Sequence, residues 1–152
     1  MRLQVSTSLA LYSTLECATN PEHQISAPEI AAKYAVSTHH LAKVLRELVR
    51  AGVIESTRGV GGGYRFAGNA KRLTLMGVIE LFEDIGGRDG RNGEPGASTD
   101  VRRSLGVVLA EIDEIAKATF RSVTIDTMRK LIERQRRADE KKPGRPKKAR
   151  RA

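Results

Sequence analysis

Three features of the 152-residue sequence predict a mainly α-helical fold carrying one small β-hairpin. The first is a series of helix starts marked by capping side chains, at Ser26, Ser37 and Thr74. The second is a pair of short strand-like runs, residues 53–58 and 64–67, joined by a glycine-rich tip. The third is an apolar seam, Val101, Leu105, Val108, Ile112 and Ile115, spaced by alternating steps of four and three. Together they describe a winged helix-turn-helix: two close-set helices, a hairpin wing, and then a long dimerisation helix.

In chain order, residues 6–18 form the first expected helix, with a broad apolar face through Leu9, Leu11, Tyr12, Leu15 and Ala18, ended by Asn20-Pro21. Ser26-Ala27-Pro28-Glu29 then starts a short helix. Ser26 and Glu29 are spaced for a capping box, and proline is tolerated in a first turn. After the tight turn Ala35-Val36, Ser37 caps the central helix, which ends at Ala51-Gly52, where glycine permits a left-handed exit. Leu41, Val44, Leu45 and Leu48 make its buried stripe. Thr38, His39, His40, Lys43 and Arg46 lie off that stripe. A helix with one apolar face and one polar, basic face suits a reader of the major groove.

The hairpin tip places Arg58 and Arg65 on either side of Gly59, Gly61, Gly62 and Gly63. Such a tip can approach a phosphate backbone closely, and a flanking arginine can enter a minor groove. A nucleotide-cradling loop would lead into a helix instead, and Tyr64-Arg65-Phe66 reads as strand. A purely structural hairpin is the plainer competing reading. Thr74 caps a further helix with Val78, Ile79, Leu81 and Phe82 as its apolar residues, ended by Gly86-Gly87. Residues 88–98, rich in Gly, Asn, Pro and charge, read as a loop.

The seam from Val101 to Ile115 needs something to cover it, and a second copy of the chain is the expected cover. A short helix capped by Thr124, with Ile125, Met128, Leu131 and Ile132, is expected to pack on the body or on that partner. The expected organisation is a DNA-binding domain over 1–85, a flexible loop over 86–99, dimerisation and packing helices over 100–137, and a disordered basic tail over 138–152.

Charge separates along the same lines. Net charge is +9, but from residue 134 onward ten Lys or Arg face only two acidic residues. The first 133 residues hold 17 basic against 16 acidic side chains, so the body is nearly neutral and the tail is the cationic element. Within it, Lys142-Pro143-Gly144-Arg145-Pro146-Lys147-Lys148 is similar to an AT-hook, whose Gly-Arg-Pro core lies in an A·T minor groove. Arg145, Lys147 and Lys148 would make its DNA contacts. Proline precedes Gly144 where the fuller motif has arginine, and a solvated polycation is the competing reading.

Cys17 is the only cysteine, which excludes an internal disulfide and suits a reducing, cytoplasmic setting. Among small and apolar neighbours it reads as a buried hydrophobe rather than a sensing thiol. No run approaches the roughly 18 apolar residues of a membrane-spanning helix. Cys17, His23, His39 and His40 lack metal-ligand spacing, so no metal is expected. No nucleophile–base pattern or carboxylate pair points to catalysis.

The order of these pieces resembles the Rrf2 (Rrf-two) family of winged helix-turn-helix transcription regulators, which includes the iron–sulfur cluster regulator and the nitric-oxide-sensitive repressor. The resemblance rests on Met1-Arg2-Leu3, the capped helix after Ser26, Val36-Ser37, the run from Leu48 to Arg58, Gly61-Gly62-Gly63-Tyr64-Arg65, and Leu73-Thr74-Leu75 before Val78-Ile79-Glu80. It covers about residues 1–133. It implies a homodimer on double-stranded operator DNA, with Ser37, His39, His40 and Lys43 facing bases or phosphates and Arg58 and Gly59 serving the wing. Cluster-binding members place three cysteines in the loop that here holds none, and Ser8 stands where some members offer a carboxylate. No iron–sulfur cluster, and no other cofactor, is therefore expected. The reading is a sequence-specific dimeric regulator, most simply a repressor. Its competitors are a general architectural DNA-binding protein led by the tail, a non-DNA interaction module, and a nucleotide-binding enzyme using the glycine loop.

Overall fold

In the computed structural model, residues 2–85 and 99–141 are described. The elements run α1 (Val5–Thr19), α2 (Ala27–Tyr34), α3 (Thr38–Arg50), β1 (Ile54–Thr57), β2 (Gly63–Phe66), α4 (Leu75–Ile79), α5 (Asp100–Ser122) and α6 (Ile125–Glu140). α1 lies at the centre, packed against α3, β2, α4 and α6. Small side chains make this possible: Ala10 and Cys17 are fully buried, and so are Thr7, Ser13 and Thr14. A helix covered on several sides shows little periodicity, which is why its sequence gives a broad apolar face and no narrow stripe.

The caps form where the sequence places them. Ser26 Oγ accepts from the Glu29 N–H at 3.4 Å, and the Glu29 carboxylate accepts from the Ser26 N–H at 2.7 Å, closing the capping box. Ser37 caps α3 through the His40 N–H, Thr74 caps α4 through Gly77, and Thr124 caps α6 through Thr127. Between α2 and α3, Ala35 takes the left-handed conformation (φ 53°), which turns the chain within two residues. α3 is left at Gly52, also left-handed. β1 and β2 pair antiparallel, Ile54 opposite Phe66 and Thr57 opposite Gly63, and a bridge from Tyr64 to Ile25 ties the hairpin to the start of α2.

Several expected boundaries differ. β1 is shorter than the run 53–58, because only four residues on each side find ladder partners, and β2 keeps the length of the run 64–67 but begins one residue earlier, at Gly63. α4 stops at Ile79, well before Gly86-Gly87. Past that point, i→i−3 bonds (Leu81 to Val78, Phe82 to Ile79) tighten the chain into turns. Leu81 thereby faces solvent, while Phe82 and Ile85 turn back to the core. α6 is no short helix: it runs 16 residues, through Ala138, Asp139 and Glu140, into the stretch expected to be tail. Its first turn packs on the body of its own chain. Ile125 is fully buried, and backbone bonds join Leu73, Leu75 and Ala70 to residues 123–126.

One polar cluster locks α1 to α2 beside α6. The Glu16 carboxylate accepts from Tyr34 Oη at 2.5 Å and pairs with Lys33 Nζ at 2.6 Å, and the Tyr34 ring stacks on Tyr12. Burial alone would raise the Glu16 pKa, but the Lys33 and Tyr34 hydrogen bonds and the Lys33 charge outweigh it and hold the carboxyl below its ordinary value of 4.5. A depressed carboxylate stabilises the fold above its ordinary pKa, and that contribution is lost as pH falls through the folded value. Glu16→Gln should thus lower stability by about 1–3 kcal/mol at neutral pH. The gap from wild type should narrow as pH drops below 4.5. Denaturant unfolding at a series of pH values measures it, and a gap that stays constant on acidification would contradict the assignment.

Candidate nucleic-acid interface

The orientation of α3 follows from its buried stripe. Leu41, Val44, Leu45 and Leu48 are each at most 3% exposed, so the rotation of the helix about its axis is fixed. Ser37, Thr38, His39, His40, Lys43 and Arg46 are consequently all exposed. They fill one polar face whose first turn presents capped backbone and small side chains. Lys43 and Arg46 make no ion pair among the described residues, so both charges are available to an outside partner. His40 is less free: its Nε2 lies 3.2 Å from Ser6 Oγ at the start of α1. That contact joins two elements 34 residues apart in sequence.

The wing carries its arginines unequally. Arg65 sits in β2 directly opposite Glu55 of β1, and its Nε is ion-paired with that carboxylate. Its charge is therefore largely spent within the hairpin. Arg58 lies beyond the ladder, exposed and without an ion pair among the described residues. Gly59 and Gly61 take positive φ (100° and 75°), so the tip turns in a way that side-chain-bearing residues resist. At the apex Val60 is fully solvent-exposed. Sequence reading passed over Val60, although an apolar residue isolated among glycines at a hairpin tip was a usable signal. For Ser6 no local signal exists, because its partner comes from another helix.

The seam of α5 is bare. Val101, Leu105, Val108, Ile112 and Ile115 are each more than half exposed, and none of the 23 residues of α5 is buried. Arg145, Lys147 and Lys148 lie outside the described residues, as does the loop over 88–98.

Cys17 is wholly buried in the core, and burial, with the neighbouring Glu16 carboxylate, pushes its thiol up to about 12. A thiol this protonated and enclosed is a poor nucleophile and a poor metal ligand. Among the described residues no three His, Cys, Asp or Glu side chains converge, and no helix is long and apolar enough to cross a membrane.

The chain matches the Rrf2 family, described as iron-dependent transcriptional regulators, over residues 3–130. It is 54% identical over 145 residues to BadM of Rhodopseudomonas palustris, named as an HTH-type transcriptional regulator, covering 94% of this chain and 90% of that one. It is 34% identical over 85 residues to the HTH-type transcriptional regulator NsrR of Shouchella clausii, covering 55% and 57%. Among solved structures, the fold is shared with CymR, the global cysteine regulator of B. subtilis, at a TM-score of 0.66 and 20% identity, covering 86% and 98%. It is shared equally with IscR of T. potens, at 0.66 and 19% identity, covering 95% and 93%. A thiolate-bound iron–sulfur cluster does not fit the residues present: it needs several accessible cysteines, and the single one is sealed in the core. Helix pair, wing and long final helices, matched along most of the sequence, make the chain a member of the Rrf2 family of transcriptional regulators.

Proposed function

We propose that this regulator works as a homodimeric, sequence-specific repressor on double-stranded DNA in the cytoplasm, without catalysis. The observation that carries the reading is the division of α3 into a buried stripe and an exposed face with two cations, Lys43 and Arg46, that make no ion pair among the described residues. On this reading the first turns of α3, Ser37 to Lys43, enter the major groove, with Arg46 at its edge on phosphate. Arg58 and the backbone around Gly59 and Gly61 follow the adjacent minor groove, with Val60 at the groove floor. Arg65 holds the hairpin in register through Glu55 and contributes little charge to DNA.

The α5 seam supports pairing with a second copy. A 23-residue helix is about 34 Å long at 1.5 Å per residue, and its apolar positions repeat at the spacing that self-complementary helices bury. Pairing two copies about a dyad sets two α3 helices in successive major grooves, which calls for an inverted-repeat site. A general DNA-compacting role led by the tail is the competing reading, since the charge lies there.

Selection of bound sites from a random DNA pool should return an inverted repeat. On that site, Lys43→Ala should relax preference at one position of each half-site, losing on the order of tenfold discrimination. Absence of any consensus, or equal weakening on every sequence, would overturn the recognition-helix reading. Leu105→Asp combined with Ile112→Asp should give a monomer in sedimentation and abolish binding to the paired site. An unchanged dimer would place the interface elsewhere.

A further inference from the structure

A hollow of about 510 Å³ opens between the start of α1 and the turn joining α2 to α3, within the size range of small-molecule sites. Val5, Ser8, Leu9 and Tyr12 recur at helical spacing, so one face of the first two turns of α1 lines it. Arg2 comes from the segment before α1, Tyr34 from the last position of α2, and Val36 from the turn. Much of this lining is apolar and uncovered. Leu9 is buried, but Val5 is 61% and Tyr12 44% exposed, surface that an apolar ligand would take from water. The Tyr34 ring stacks on Tyr12 with centroids 4.7 Å apart, which braces that wall.

Polar groups at the hollow are unused. Arg2, Ser8 and the Tyr12 hydroxyl make no side-chain hydrogen bond or ion pair among the described residues. Tyr34 differs: its hydroxyl donates to Glu16, so it offers the ring alone. No carboxylate stands among the described lining residues, which leaves Arg2 as an uncompensated charge beside apolar surface. A single guanidinium matches one carboxylate, and two hydroxyls can donate to the lone pairs it leaves. One cation is too little for the several charges of a nucleotide's phosphates, and a cationic ligand would be repelled by it.

Two walls of the hollow are tied to the first turn of α3. Val36 directly precedes Ser37, whose hydroxyl accepts from the His40 N–H at 3.2 Å. On the α1 side, Ser6 stands beside the lining residue Val5, and its Oγ lies 3.2 Å from His40 Nε2. A ligand touching both walls therefore favours some placements of that turn over others.

We propose that this hollow is an effector site for a small organic carboxylate with an apolar body. Arg2 takes the carboxylate, Ser8 and Tyr12 donate to it, and occupancy alters the hold of α3 on DNA. The ligand site is independent of the operator-binding reading, and its regulatory effect rests on that reading.

Calorimetry on the full-length protein compares monocarboxylates of about five to nine carbons with their primary amides, which keep the shape and lose the charge. At least one acid should bind on the order of tenfold more tightly than its amide, and should raise the melting temperature. Arg2→Gln should remove the acid's advantage while leaving thermal stability without ligand unchanged. Ser8→Phe, which fills the hollow, should abolish binding of acid and amide alike. On the pool-selected site, the bound acid should change DNA affinity by about fivefold or more, and the duplex should change the acid's affinity by the same factor. Arg2→Gln should lose that response and keep the preference for the selected site over a scrambled one. Failure of every acid to outbind its amide, or an advantage that survives Arg2→Gln, overturns the proposal. So does tight binding that leaves DNA affinity unmoved. If the pool returns no preferred site while acid binding still depends on Arg2, the ligand site stands and the operator reading falls.

Discussion

Everything on the proposed DNA-facing side depends on the burial of one stripe of α3 against α1. Leu41, Val44, Leu45 and Leu48 give up nearly all their exposure there, at about 1.5–3 kcal/mol each, and the helix cannot roll without losing them. α1 offers small, fully buried side chains at Ala10, Thr14 and Cys17, and α3, α4, β2 and α6 all pack against it. The polar residues of α3 are then outward by exclusion. Ser6 and His40 add a polar contact at the edge of the same interface.

The local parts of this design were legible in the sequence. Ser26, Ser37, Thr74 and Thr124 each cap the helix they precede, because an N-cap depends on backbone groups two or three residues away. The apolar stripe of α3 was readable for the same reason. What sequence did not yield was set by distant partners. α4 ends early because Phe82 and Ile85 are drawn to the core, and Arg65 is engaged by Glu55 across the hairpin. The Glu16–Tyr34–Lys33 cluster joins residues of two helices with no shared motif. α6 outruns its expected length because its polar last turns carry no apolar signal by which to count them.

Two functions that proteins often combine are kept apart in this chain. The body that positions α3 and the wing is almost neutral, so on the proposed reading recognition there would fall to a few placed side chains, Lys43, Arg46 and Arg58. The cationic stretch, from residue 134 onward, is separate in sequence and carries the charge that attraction to DNA of any sequence would use. Cys17, enclosed and held protonated, belongs to the packing of α1 and lends nothing to a thiolate-based switch.

Placement of α3 on DNA is the central claim, and affinity cleavage measures it most directly. Cys17 is buried, so an iron chelate can be tethered selectively at Thr38→Cys or Val60→Cys on the native protein. The Thr38 label should cut in two clusters related by the dyad, each in the major groove of a half-site, with the Val60 label cutting in the minor groove alongside. Cutting from Thr38 that is spread evenly along the duplex, or no stronger than from a label at Lys130 on α6, would contradict the account.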